Sequence, residues 1–226
     1  MMSYWVLFIG IAVVSWLVQM NLQNKFKKYS KIPTGNGMTG RDVALKMLHD
    51  NGIYDVQVTH TPGRLTDHYN PTNKTVNVSE GVNESNIIMA AALAAHECGH
   101  AVQHARMYAP LKMRSALVPV VNFASSIMTW VLLGGILLIN SFPQLLLAGI
   151  ILFAMTTLFS FITLPVEINA SKRALVWLSS SGITNSYNHA QAEDALRSAA
   201  YTYVVAALGS LATLVYYIMI FMGRRD

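Results

Sequence analysis

The chain has 226 residues, of which 53% are hydrophobic and only 12% charged, with a formal charge of +5. A soluble domain carries about 25% charged residues, so this balance excludes an ordinary soluble globular protein and points to a membrane. The positive charge does not signal nucleic acid, because the basic residues cluster beside apolar segments instead of alternating with exposed aromatics. Cys98 is the single cysteine, which rules out an intrachain disulfide.

In chain order, the first apolar segment is Ser3 to Met20, uncharged and without a basic region ahead of it. It reads as a retained span, not a removed signal peptide. Leu117 to Ile139 and Gln144 to Leu164 form two further segments joined by the short turn Asn140-Ser141-Phe142-Pro143, so they should make a tight antiparallel hairpin. A last apolar segment runs from Tyr201 to Met222. Each is near the ~20 residues needed to cross hydrocarbon as a helix. The expected organisation is a first span within 1–22, a polar region 23–116, a membrane hairpin 117–165, a second polar region 166–200, and a last span with its tail in 201–226.

Two crossings separate the polar regions, which places them in one compartment. Lys25, Lys27, Lys28, Lys31, Arg41 and Lys46 follow the first span, and Lys172, Arg173 and Arg197 lie in the second polar region. The positive-inside rule makes that compartment the cytoplasm; Arg224 and Arg225 carry the opposite signal.

In the first polar region Thr39 should cap a helix from Gly40 to Asp50, ended by Asn51-Gly52. Gln57 to Arg64 and Lys74 to Ser79 read as extended, and the turn residues Asn70-Pro71-Thr72-Asn73 predict a β-hairpin. Lys74 to Ser79 is read either as an exposed edge that pairs with an extended substrate or as a covered edge. Ser85 or Asn86 should cap the next helix, which runs to Met107, and Pro110 restarts a segment leading into the second span.

That helix carries His96-Glu97-Cys98-Gly99-His100. Imidazoles four residues apart on a helix are neighbours about 6 Å apart along the axis, so both can reach one metal ion. A carboxylate beside the first histidine can act on a metal-activated water, which is metallopeptidase chemistry. Cys98 reads as a small packing residue turned away from the histidines.

A catalytic zinc site needs a third protein ligand and an open position. The metzincin pattern fails, with Gln103 and Arg106 where Gly and His would stand. His104 lies about 12 Å along the helix from His96, too far to join it. Glu167, in Leu164-Pro165-Val166-Glu167, is the remaining candidate. Alone, it would be read as a surface residue near the start of a helix that Pro165 opens. Beside a two-histidine motif in the same compartment, a metal ligand is the better reading. His68 and Tyr69, just ahead of the motif helix, are candidate oxyanion or substrate contacts, or alternatively turn residues with local hydrogen bonds.

Three segments carry a resemblance: Leu65-Thr66-Asp67-His68-Tyr69-Asn70-Pro71, Ala94 through His104 around the motif, and Leu164-Pro165-Val166-Glu167-Ile168-Asn169-Ala170-Ser171. The chain resembles the bacterial YugP-like neutral zinc metallopeptidases over nearly its whole length, and in layout the heat-shock membrane protease HtpX and the CAAX-processing membrane protease. The resemblance implies a mainly α membrane protein with four transmembrane helices and a small cytoplasmic α+β gluzincin-like metalloprotease domain containing a short β-hairpin. It implies Zn2+ on His96, His100 and Glu167, Glu97 as catalytic base, and a polypeptide substrate in or near the bilayer. Many gluzincins carry Asp four residues after the glutamate ligand; this chain has Ser171, which leaves the group orienting the histidines unassigned.

Two other readings compete with this one. An intramembrane protease would need the motif helix in the bilayer, where the flanking Asn86, Gln103, His104 and Arg106 bracket too short a stretch. A non-enzymatic scaffold with a structural metal would be expected to close the site with four ligands, often Cys.

Overall fold

The computed structural model describes residues 4–223. Its elements are α1 (Tyr4–Tyr29), α2 (Gly40–Asp50), β1 (Gln57–Thr61), β2 (His68–Asn70), β3 (Thr75–Ser79), α3 (Glu80–Asn83), α4 (Ile88–Ala105), α5 (Ala109–Leu137), α6 (Pro143–Ser180) and α7 (His189–Met222). Among the described residues, α5, α6, α7 and the Trp5–Tyr29 stretch of α1 are long and apolar enough to cross a membrane; α4 is not one of these. Contacts divide the described residues into two compact units, one of residues 4–17, 112–164 and 202–223, the other of Val18–Leu111 and Pro165–Tyr201.

In the first unit α5 and α6 pack closely because glycines remove side chains where the backbones meet. A Cβ on Gly135 would lie 2.5 Å from the Leu146 Cα, and one on Gly149 would lie 2.7 Å from the Leu132 side chain. Leu132, Leu146 and Ile150 form the buried seam, joined by Phe153 and by Leu214 and Tyr217 of α7. Thr157 and Ser210 share a hydroxyl hydrogen bond of 2.6 Å across the α6–α7 contact. Small residues and hydroxyl pairs hold membrane helices together where lipid gives no hydrophobic drive for association.

The second unit has a core of Val43, Met47 and Leu48 from α2, Val76 and Val78 from β3, Ala91, Ala94, Ala95 and Cys98 from α4, and Leu178 and Leu196. Thr39 caps α2 as the sequence predicts, in a reciprocal capping box with Asp42, and Asn51 ends the helix. Hydrogen bonds from the Thr39 side chain and then its backbone hold the Asp42 carboxyl below the usual aspartate range. The motif helix starts differently from expectation. Neither Ser85 nor Asn86 caps it; the N-cap is Ile87, with no side-chain cap bond. The chain at 32–34 does the work instead, as Ile32 O accepts from Ile88 N at 2.8 Å and Thr34 N donates to Asn86 O at 2.8 Å.

The hairpin is also redistributed. Its turn lies where Asn70-Pro71-Thr72-Asn73 predicts, but its first strand is the short β2, paired antiparallel to β3. The extended segment at Gln57 pairs with β3 in parallel, from Gln57 opposite Thr75 to Thr61 opposite Ser79. The sheet order is therefore β1-β3-β2, and β3 is central, not an edge of either kind. Its residues Thr75, Val76, Val78 and Ser79 are buried, as a strand flanked on both sides requires.

Pro165 does not open a new helix. It lies inside α6, which continues unbroken to Ser180. A proline removes one helical hydrogen bond, a loss that long apolar helices tolerate when neighbours resatisfy the freed groups. Glu167 therefore sits on the same helix as the third apolar segment.

The approach of α4 to α6 turns on Gly99. A Cβ there would fall 2.7 Å from the Ala170 carbonyl oxygen and 3.1 Å from its Cα. Gly99→Ala is expected to destabilise the protein by about 1–3 kcal/mol in thermal unfolding in detergent, since helix backbone cannot yield as a side chain does. Gly81→Ala, where a Cβ meets nothing within 4 Å, is the control expected to leave stability unchanged or slightly raised.

Candidate metal centre

His96, Glu97 and His100 project from α4, and Glu167 reaches them from α6. His96 Nε2 lies 3.2 Å from Glu167 Oε2 and His100 Nε2 lies 3.5 Å from the same oxygen. The two imidazoles meet edge to face, with centroids 4.9 Å apart. One ligand atom from each of the three residues lies within 4.8 Å of the others. Glu167 is 2% exposed and His100 8%. Burial acts to lower the His100 pKa, but the hydrogen bond with Glu167 and the charges of Glu97 and Glu167 outweigh it and hold it above the ordinary histidine value. Two imidazoles and one carboxylate, with no fourth ligand and no cysteine joining them among the described residues, fit a zinc site of the open kind.

The outer ring nitrogens of both histidines are engaged. Ser171 Oγ lies 3.0 Å from His96 Nδ1. Ser171 thus takes the orienting position four residues after Glu167, with a hydroxyl where the resemblance leads one to expect a carboxylate. Gln103 Oε1 lies 3.1 Å from His100 Nδ1. The sequence reading assigned no role to Gln103. Its signal was a polar residue one helical turn after His100, within a run of small apolar residues on a buried face.

Cys98 is fully buried against α2, its thiol directed at the Ala44 carbonyl at 3.5 Å. Burial and then the nearby Glu97 charge push its pKa upward, so it is a packing residue with an unreactive thiol.

Glu97 sits beside the sheet, and its Oε2 accepts the Tyr69 backbone N–H at 3.0 Å. Because β2 is an edge strand, this N–H faces away from β3 and toward the motif helix. The Tyr69 hydroxyl lies 2.7 Å from His104 Nδ1, which gives His104 a role on the Tyr69 side of the site and none among the ligands. His68 is exposed, with Nδ1 2.8 Å from the Thr66 carbonyl oxygen. Asp67 anchors β2 by accepting from Ser79 N at 2.7 Å and Ser79 Oγ at 2.9 Å. Tyr69 is thus brought to Glu97, whereas the His68 ring bonds within its own turn.

A two-histidine helix with an adjacent glutamate, completed by a glutamate from a second helix on a chain with four membrane-length helices, defines the class: a membrane protein with a metallopeptidase-type site. The chain belongs to the family described as "Putative neutral zinc metallopeptidase", which matches residues 4–222. It is 43% identical over 222 residues to "Putative membrane protease YugP" of Bacillus subtilis (strain 168), an alignment covering 97% of this chain and 98% of that protein. No solved structure matches it.

Protein purified in detergent is expected to carry one zinc per chain by elemental analysis. Glu167→Ala and His96→Ala should each lose it. Retention of full zinc by Glu167→Ala would remove that residue from the ligand set.

Proposed function

We propose that this protein is a membrane-bound zinc metalloendopeptidase of gluzincin type that hydrolyses peptide bonds of membrane or membrane-proximal proteins at the cytoplasmic face. The observation that carries this reading is the convergence of His96, His100 and Glu167, with Glu97 one residue away. When bound, zinc supplies Lewis acidity that lowers the pKa of water from about 15.7 toward about 7 and stabilises negative charge on a carbonyl oxygen. Glu97 is the general base: it takes a proton from the attacking water and delivers it to the leaving amine. Its carboxylate is positioned for this by the Tyr69 N–H.

In this reading an extended substrate runs alongside β2, the sheet edge beside Glu97; the Tyr69 N–H on that edge is engaged by Glu97 and does not pair with the substrate. The Tyr69 hydroxyl, oriented by His104, is the better oxyanion donor of the two candidates, because His68 is held in its turn by Thr66. The cytoplasmic assignment rests on the lysines that follow the first span and on the basic residues of the second polar region. Arg224 and Arg225, which argue the other way, lie outside the described residues. The bilayer and a polypeptide are the implied partners.

Glu97→Gln is expected to keep its zinc and lose peptide cleavage by about 10²–10⁴-fold, the range for a general acid–base group. Comparing membrane proteomes of cells holding wild type or Glu97→Gln should reveal proteins that accumulate only with the variant. Equal cleavage by both would reject Glu97 as the base. The same comparison with Tyr69→Phe should show a kcat loss with little change in KM.

Sidedness has its own test. Cysteines placed at Tyr54 and Tyr187, which are 77% and 87% exposed, should both resist an impermeant thiol reagent in intact cells and react in inverted vesicles. Buried Cys98 contributes no background.

A further inference from the structure

The fully buried Gln103 is not a member of the ligand cluster but bonds to the outer nitrogen of one member, His100, and its hydrogen bonds have a fixed direction. Its Nε2 donates to the Val166 carbonyl at 2.8 Å and to Asn169 Oδ1 at 3.0 Å. A carbonyl oxygen only accepts, so the amide nitrogen must be on that side. The Asn169 oxygen is fixed independently, because it also accepts from Arg173 Nε at 2.7 Å. A guanidinium donates only and stays protonated. With both neighbours acting as acceptors, Gln103 Oε1 is left facing His100 Nδ1 at 3.1 Å. An amide oxygen accepts, so Nδ1 must carry the proton. A neutral His100 then presents its lone pair at Nε2, on the side of Glu167 and His96.

We propose that Gln103 is a positioning residue that sets the tautomer and ring angle of His100 for metal ligation, held in register by Asn169 and Arg173 of α6. The chain of bonds ties ligand geometry to the α4–α6 contact: Val166 precedes the ligand Glu167 by one residue, and Asn169 follows it by two. One buried amide therefore reads the position of the helix that supplies the third ligand and passes it to the second. Burying an amide without partners costs free energy; here each of its polar atoms has one. The role is the one carboxylates or carbonyls fill behind metal-bound histidines elsewhere. Here a neutral side chain one turn along the same helix fills it.

This inference rests on the zinc-site reading, and the experiment separates the two. Zinc affinity of the full chain in detergent is measured by chelator competition, the metal-free protein's unfolding temperature is recorded, and the visible spectrum of the Co2+-loaded protein reports ligand geometry. Gln103→Met, of similar volume, is expected to weaken zinc by about 10–100-fold and to alter the Co2+ bands. Gln103→Glu keeps an acceptor for His100 while losing the donor to Val166; it should lower the unfolding temperature yet bind zinc more tightly than Gln103→Met. A purely structural residue would give the reverse, affinity following stability in both variants, and that outcome overturns the proposal. So does wild-type zinc affinity in Gln103→Met. Should neither variant fold, Asn169→Ala releases the amide without emptying the core. It is expected to weaken zinc several-fold, and unchanged affinity there is equally fatal. Failure of the wild type to bind zinc would instead strike the zinc-site reading beneath.

Discussion

The contact of α4 with α6 at Gly99 and Ala170 is the constraint on which the site depends. It brings two helix backbones closer than any side chain allows. That approach lets Glu167 meet His96 and His100, and it also places Ser171 behind one histidine and the Val166 carbonyl beside Gln103. The unnamed positions of the His-Glu-x-x-His stretch are thus occupied for reasons of packing. Cys98 fills the space against α2, and Gly99 leaves room for α6. A motif usually described by its ligands is equally a statement about helical faces, one carrying the candidate metal ligands and others packed against α2 and α6.

Much of this was legible in the chain. Helical periodicity placed both histidines on one face. The capping signals at Thr39 and Asn51-Gly52 fixed α2 to the residue, because capping is a local interaction between side chain and adjacent backbone. What local reading missed was decided by distant partners. The cap of α4 comes from the Ile32 carbonyl, which accepts from Ile88 N more than fifty residues away. The parallel pairing of β1 with β3 is equally nonlocal, and it turned a strand read as an edge into the centre of the sheet. Pro165 misled because proline at the end of an apolar run ordinarily marks a boundary, whereas here α6 carries through it.

The supporting shell of the metal site was illegible for a related reason. Ser and Gln are common, mostly exposed residues, and nothing in their type marks them as partners of histidine. Gln103 acquires its meaning only when Val166 and Asn169 of α6, 63 and 66 residues further on, meet it in the core. Polar residues buried inside a small-residue stripe are where sequence patterning is weakest and tertiary satisfaction strongest.

Charge gives the neutral shell a physical meaning. As metal ligands the two histidines, each with Nδ1 engaged by a hydroxyl or an amide, would bring no charge to the site. Glu167 and Glu97 bring one negative charge each, which a divalent cation balances. A carboxylate behind His96, in place of Ser171, would add a third negative charge in a region where Glu167 is 2% exposed and solvent screening is poor. It would also make the imidazole a stronger electron donor and so soften the Lewis acidity on which water activation depends. A hydroxyl and an amide orient the rings without either effect. The Ser171 departure is therefore best understood together with Gln103, as one arrangement in which geometry is held by neutral groups and the remaining negative charge resides on Glu167 and Glu97, the proposed ligand and the proposed base.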